Sequence, residues 1–414
     1  MKVCMISTYS TSEGGVSSYT RNLVQTLKEH GVNVIIFSNK SKNEKLKQNC
    51  EGVYPVWDKG ILYPFQIFKA MVANQDANIL HVQHEFFLYG GVFSAFFFPV
   101  LLFLVRLLGK PVVVTMHGVI PLFELNERFK KENWLSGPLF LLKFSLILIT
   151  KMIMFFSDAL IVHGKFFAEV LYNDYKCPKK KIHIIPHGIE EIKTMISQDE
   201  AKRRLRLENK IVILFFGYIT GYKGIETLIE AFGQLTKKYQ DWTLIIGGGE
   251  HPRLRLNPKY KEYLAKLKHM AHLLLPEKCV FTGFIPDEEL VLYLSAADVI
   301  VFPYTVGMSN SGPLMLSMSY GKPIIASNIP SMKELIPFEE ALFKRRSSED
   351  FAKKLELMIN NSDLKHKMLL YFKKICEVNS WNNVSMQTYM LYQSILPISD
   401  EIMKKSQCPF ISTL

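Results

Sequence analysis

The 414-residue chain is too long for one compact core and comfortable as two domains; 48% apolar and 21% charged residues without low-complexity tracts exclude extended disorder. Fifty Lys and Arg against 38 Asp and Glu leave a formal charge of +12, which favours anionic partners: phosphorylated small molecules, acidic lipid headgroups or nucleic acid. No common nucleic-acid motif accompanies that charge, so no nucleic acid is expected, and six cysteines scattered without a C-x-x-C pair or metal-like spacing predict reduced thiols in the cytosol.

The first residues, "MKVCMIS", are too short an apolar run for a signal peptide and predict a first strand. From there, short β-branched runs alternate with longer amphipathic segments, the rhythm of right-handed βαβ units on parallel sheets, so the fold class is α/β. In the first half the predicted strands are "KVCMIS", "NVIIFS", "NILHVQ", "PVVVTMH", "ALIVHG" and "IHIIPHG", with a helix from Val16 to His30 closed by Gly31.

The first strand leads into "STYSTSEGGVSSYTRNL", where Gly14 and Gly15 stand at the entry to that helix. Glycines there let a ligand approach the backbone, and the helix amino terminus offers free N–H groups to an anion or a sugar hydroxyl; simple turn chemistry explains the pair equally well. The fingerprint G-x-G-x-x-G is missing, which counts against a dehydrogenase. "HVQHEFFLYGG" then puts His81, His84 and Glu85 at a strand end, and "TMHG" puts His117 at the next. Carboxyl ends of parallel strands are where open α/β sheets bind ligands. The spacing of His84, Glu85 and His117 matches no standard metal site, so they read as hydrogen-bonding groups in a cleft, and His187 as a turn residue near the lobe hinge.

Two segments, 92–109 and 138–156, are unusually apolar. Pro99 and Arg106 interrupt the first and Lys143 and Lys151 the second, so both are poor spans for a bilayer that needs roughly 20 apolar residues. Burial, a dimer surface and contact with an anionic membrane all remain open, and the basic surplus tips the balance toward the membrane.

Near Glu190 the rhythm gives way to "EEIKTMISQDEAKRRLRLENK", a lobe boundary, before a second series resumes with "IVILFFGY", "TLIIGGG", "CVFTGF", "VIVFP" and "PIIAS". Two Rossmann-type lobes in tandem follow, covering 1–192 and 207–378. In "FFGYITGYKGIETLIEAF", Lys223 stands in a turn before a helix whose dipole repels a cation, a placement that makes sense if a diphosphate sits between them. Ser309, Asn310, Ser311, Gly312 and Pro313 would form a second anion-binding turn, with glycine for close approach and proline suited to a first helical position. The two turns would clamp one diphosphate.

The ordered set "GGVSSYTRNLVQTLKEHGVNV", "HVQHE", "VVVTMHG", "IIPHGI", "GYITGYKGIETLIEAF", "VFTGFIPDEELVLYLSAADVIVFPY" and "SGPLMLSMSYGKPIIASNIPSMKEL" resembles glycosyltransferase family 4, over nearly the whole chain. The resemblance implies a GT-B fold: two Rossmann-like lobes facing a cleft, with a carboxyl-terminal helix at 381–396 crossing back to the first lobe. It implies a retaining enzyme that moves a sugar from a nucleotide diphosphate sugar, held by the second lobe, to a glycan or lipid-linked acceptor held by the first, in polysaccharide or glycoconjugate synthesis. Gly14 and Gly15 would approach the donor, His117 would contact its sugar, and Lys223 with the amides of Ser311 to Leu314 would bind the leaving diphosphate. The backbone near Phe284 would meet the base, and His84 and Glu85 would face the acceptor. Neither cofactor nor metal is expected, since the chain lacks a D-x-D motif, and the location implied is cytoplasmic, at the membrane's inner face. Two departures stand out: Tyr218 replaces an arginine that many members carry, and Met308 and Leu316 replace two glutamates. They mark a variant subfamily that binds its donor through backbone and hydroxyls, or else a catalytically inactive nucleotide-sugar-binding partner.

Overall fold

A computed structural model describes residues 1–9, 14–40, 52–192 and 196–396. Residues 10–13 of the first turn, and Cys50 and Cys408, lie outside the described residues. In the first lobe Lys2–Ile6 (β1), Asn33–Asn39 (β2), Val53–Trp57 (β3), Ile79–His84 (β4), Val112–Met116 (β5), Ala159–Val162 (β6) and Ile182–Ile184 (β7) form one sheet in the order β3-β2-β1-β4-β5-β6-β7. In the second, Ile211–Phe216 (β8), Trp242–Gly247 (β9), Cys279–Phe281 (β10), Val299–Phe302 (β11), Ile324–Ser327 (β12) and Leu342–Phe343 (β13) take the order β10-β9-β8-β11-β12-β13. Every neighbouring pair is parallel. The strand order reverses beside β1 and beside β8, so each lobe opens a crevice at the carboxyl ends of those strands.

The strands are continuous apolar runs because helices cover both faces of each sheet. Val212, Ile213, Leu214 and Phe215 of β8 are fully buried, and the helix Ile225–Leu235 lays Leu228, Ile229, Phe232 and Leu235 on them at helical spacing. Each such side chain contributes about 1.5–3 kcal/mol when removed from water. Two strands were not expected. β3 carries Pro55, which cannot donate to a ladder on both sides, and it accordingly sits at the sheet edge with Tyr54 exposed; β13 has only two residues.

The chain crosses between the lobes twice, and the crossings are joined: Ile189 pairs with Ser380, its N–H donating to the Asn379 carbonyl at 2.8 Å. Gly188 lies so close to Trp381 that a Cβ there would fall 2.3 Å from an indole carbon. The helix Trp381–Ile395 then packs on Gly14–Glu29 and buries Val384, Leu391 and Tyr392 in the first lobe's core.

The apolar segments form helices Phe98–Arg106 and Leu139–Phe156, which with Tyr63–Val72 lie side by side on the first lobe. Leu139–Phe156 buries Leu146, Ile149 and Ile153, but Phe140, Phe144, Leu148 and Phe155 project outward. It is long and apolar enough to cross a membrane by length and composition, with a mean hydropathy of 2.1 and 28% of it buried.

Candidate active site in the interlobe cleft

The second lobe's wall of the cleft starts where β8 ends. Gly224 follows Lys223 with φ +68°, and a Cβ there would fall 2.0 Å from the Pro303 carbonyl oxygen, so only glycine allows the loop to lie this close to the end of β11. That approach sets the Lys223 ammonium 3.6 Å from the centre of the Tyr304 ring. The Tyr304 hydroxyl lies 3.0 Å from Ser311 Oγ, which accepts the Leu314 N–H at 3.4 Å and so caps the helix Gly312–Ser319. Lys223 and Ser311 therefore flank one tyrosine ring. Lys223 makes no ion pair with any described residue, and the protein packed around it pushes its ammonium down to about 7. Just past the end of β8, Tyr218 is half-buried, stacked against the exposed ring of Phe284 at 6.4 Å and tilted against His251 at 5.4 Å.

On the first lobe, His117 is half-buried at the end of β5, with Tyr19 edge-on to its ring at 4.7 Å. Its Nε2–H donates to Gln83 Oε1 at 2.8 Å, which leaves Nδ1 bare 3.3 Å from the Nε2 of His163, whose own Nδ1–H donates to the Ile185 carbonyl. Deeper in, His81 lies between the Tyr392 hydroxyl at 2.5 Å and Thr115 Oγ1 at 2.7 Å. Burial pushes His81, His84 and His163 down to about 3, and burial together with its imidazole neighbours holds His117 well below the usual range. The cluster is neutral at physiological pH.

The lobes meet directly over this cluster. Gly118 bridges Ser309, the Val119 N–H donates to the Met308 carbonyl at 2.8 Å, and the Asn310 side-chain amide donates to the His163 carbonyl at 2.8 Å. Farther out, Glu132 accepts from Thr305 Oγ1 at 2.8 Å and Arg346 at 3.1 Å, Arg345 pairs with Glu124, and both oxygens of Glu334 accept the Lys165 and Phe166 N–H groups at a helix start. The structure thus brings His117, Lys223, Ser309, Asn310, Ser311 and the Gly312–Ser319 helix terminus to one gap.

Gly14 and Gly15 begin the helix after β1, exposed, with open space where a Cβ would stand and φ +68° at Gly14. His84 departs from its expected place on the acceptor side: it is buried between Phe86 and Phe98, at 5.3 and 4.4 Å, with Nδ1 unpartnered. Strand alternation turns it away from His81 and Gln83. Glu85, the next residue, is exposed, and its carboxyl is raised by the surrounding protein against the opposing pull of Arg253 from the other lobe. Sequence reasoning missed Tyr304, His163 and Arg253; the strand-end position of Tyr304 in "VIVFPY" was the available signal.

Two family models match: the one described as Glycosyltransferase Family 4 over residues 13–191, and the one described as Glycosyl transferases group 1 over residues 197–374. An uncharacterized glycosyltransferase of Methanocaldococcus jannaschii is 28% identical over 48% of this chain and 48% of its own. The alpha-monoglucosyldiacylglycerol synthase of Streptococcus pneumoniae is 24% identical over 80% of this chain and 71% of its own. The chain spans about half the length of the first curated relatives it matches, 48% and 42% of theirs. Among solved structures, sucrose-phosphate synthase from Thermosynechococcus elongatus superposes with TM-score 0.74 at 17% identity, over 95% of this chain and 98% of its own. Anabaena HepE in complex with UDP and glucose gives 0.73 at 16%, over 95% and 100%. At these identities the likeness shows the two-lobed fold.

Proposed function

The chain belongs to the glycosyltransferases, with a family 4 first lobe and a group 1 second lobe, and from that premise we propose that it moves a sugar from a nucleotide diphosphate sugar to a glycan or lipid-linked acceptor, with retention. The observation that carries this reading is the pairing of Lys223 and the Ser311 helix terminus across Tyr304, with no carboxylate on the lysine. As the glycosidic bond breaks, negative charge grows on the departing diphosphate. An ammonium fixed beforehand, with the Gly312 N–H at the helix start beside it, stabilises that charge without reorganising. Burial makes Lys223 a costly cation alone, and an anion beside it restores the favourable balance.

In this reading His117 holds the donor sugar, Gly14 and Gly15 admit its close approach, and the Tyr218–Phe284 ledge receives the base. Ser309, Asn310, Ser311 and the Gly312 N–H, on the turn held by the Ser311–Leu314 cap, replace the polar anchors that Met308 and Leu316 lack. Protein groups alone meet the leaving charge, with no metal or cofactor, so chelation by EDTA leaves turnover unchanged. A donor screen following nucleotide diphosphate release tests the reading. Lys223→Ala should cost about 100-fold or more in turnover while the fold stays intact. Unchanged turnover sinks the clamp, and nucleotide binding without release in the unaltered protein marks a non-catalytic partner instead.

The face carrying Tyr63–Val72, Phe98–Arg106 and Leu139–Phe156 favours a cytoplasmic protein seated on an anionic membrane. Its charged residues are Lys69, Arg106, Lys143 and Lys151, without one carboxylate, although Arg106 is paired with Asp158 from outside the three helices. Phe103, Phe140, Phe144 and Phe155 are exposed among them. Apolar rings between cations suit a headgroup layer, and the name of the Streptococcus pneumoniae synthase supports a lipid acceptor. Flotation with phosphatidylglycerol vesicles should exceed flotation with phosphatidylcholine, and carbonate washing should release the protein. Equal flotation refutes this placement.

A further inference from the structure

A second uncompensated cation stands at the end of the neighbouring strand. β9 runs into Gly248 and Gly249 and then the loop Glu250–Arg253, which is laced to the Lys223 loop. Gly217 and Ile219 donate their N–H groups to the Gly247 and Gly249 carbonyls at 3.0 and 3.1 Å. The Tyr260 hydroxyl joins both loops, accepting the His251 N–H and donating to the Ile219 carbonyl, each at 2.8 Å. A Cβ on Gly248 would fall 2.6 Å from the Gly217 carbonyl oxygen, so the close seam requires glycine. Lys223 and Arg253 thus sit on one rigid two-loop unit.

Arg253 is half-buried, and its guanidinium carbon lies 4.0 Å from the centre of the Phe87 ring of the other lobe. The buried Nε has no hydrogen-bond partner, and no described carboxylate approaches within the 4.0 Å of an ion pair. Glu85 attracts it from across the cleft but does not reach it. His251, two residues before Arg253 on the same loop, is pushed down to about 4 by burial first and then by Arg253 and Lys223. Two like charges acting on one imidazole, both partly withdrawn from water and neither with a described carboxylate in ion-pair range, suit a ligand with two adjacent negative charges.

We propose that Arg253 is the second cation of the leaving-group site, its planar fork taking diphosphate oxygens while Lys223 neutralises the same group from the other side. This rests on the transferase reading above. It also gives this chain a cation where Tyr218 supplies none.

The test is titration calorimetry of UDP, GDP and ADP, and of the matching nucleosides, with the unaltered protein and with Arg253→Gln and Arg253→Lys. For whichever diphosphate binds, Arg253→Gln should weaken affinity about 10- to 100-fold, Arg253→Lys should recover part of it, and the nucleoside should bind all variants alike. If Arg253→Gln does not fold, Arg253→Lys carries the test: it keeps the charge without the fork and should still lose severalfold. Diphosphate affinity within twofold in both variants, with a raised KM for the acceptor, would assign Arg253 to an acceptor anion and overturn the proposal. Should the unaltered protein bind none of the three diphosphates, the transferase reading falls and Arg253's role with it.

Discussion

The two lobes are built by one rule, a parallel sheet with a ligand crevice at its strand ends, yet they present opposite electrical surfaces to the gap. The second offers Lys223 and Arg253, neither in an ion pair with any described residue. The first offers the imidazoles of His117, His163 and His187, with Glu85 nearby. Burial acts the same way on both, disfavouring the charged form. An imidazole escapes by shedding its proton near neutral pH, whereas a guanidinium cannot and an ammonium does so only in part. Equal burial therefore leaves one wall quiet and the other charged, and this contrast, rather than the shared fold, sorts the charged and neutral ends of a ligand.

Acid should break the contrast most forcefully. The first lobe buries His81, His84 and His163 and half-buries His117 and His187, all with depressed values. Histidine in an unfolded chain titrates near 6.5, so the stability these residues carry is whole above that pH and is lost as pH falls toward the folded values of about 3. The expected loss is about 1.4 kcal/mol per pH unit per histidine, so hydrogen exchange between pH 6 and 4.5 should accelerate first in β4, β5 and β6. Simultaneous loosening of both lobes would erase the distinction. Next in size, His117→Ala should lower turnover by about 10- to 100-fold and leave nucleoside diphosphate affinity within twofold, while Lys223→Ala lowers both. Loss of nucleotide affinity in the histidine variant would count against separate roles for the walls.

A smaller effect follows from Lys223, whose ammonium burial pushes down to about 7. Binding an anion raises that value, so the affinity for a nucleotide sugar should fall as pH rises above 7, at up to about 1.4 kcal/mol per unit. Lys223→Met should flatten the slope. A flat profile in the unaltered protein would place the ammonium outside the binding site. Smallest of all, Ser311→Ala removes a helix cap and should cost about 1 kcal/mol in urea unfolding.

Much of the architecture was legible in the sequence because parallel strands buried on both faces read as unbroken apolar runs. The strands that escaped notice were the proline-bearing edge strand β3 and the two-residue β13. In the site, Lys223 and Ser311 were legible as strand-end turns because local chemistry marks them. His84 was misplaced because alternation in "HVQHE" separates two faces without saying which one meets solvent when both are covered. Arg253 was overlooked for a different reason. Its meaning comes from Phe87, Glu85 and Lys223, residues far away in the chain, and nothing in "GGGEHPRLR" alone sets it apart from a solvated loop arginine.

The twin crossings at Ile189 and Ser380, tied by a backbone hydrogen bond and wedged by Trp381 against Gly188, limit how the halves can travel. A single covalent pivot leaves a body free to swivel in any direction, but two pins fastened side by side define an axle. Twisting one half against the other would have to break the Ile189–Asn379 bond and unseat the indole.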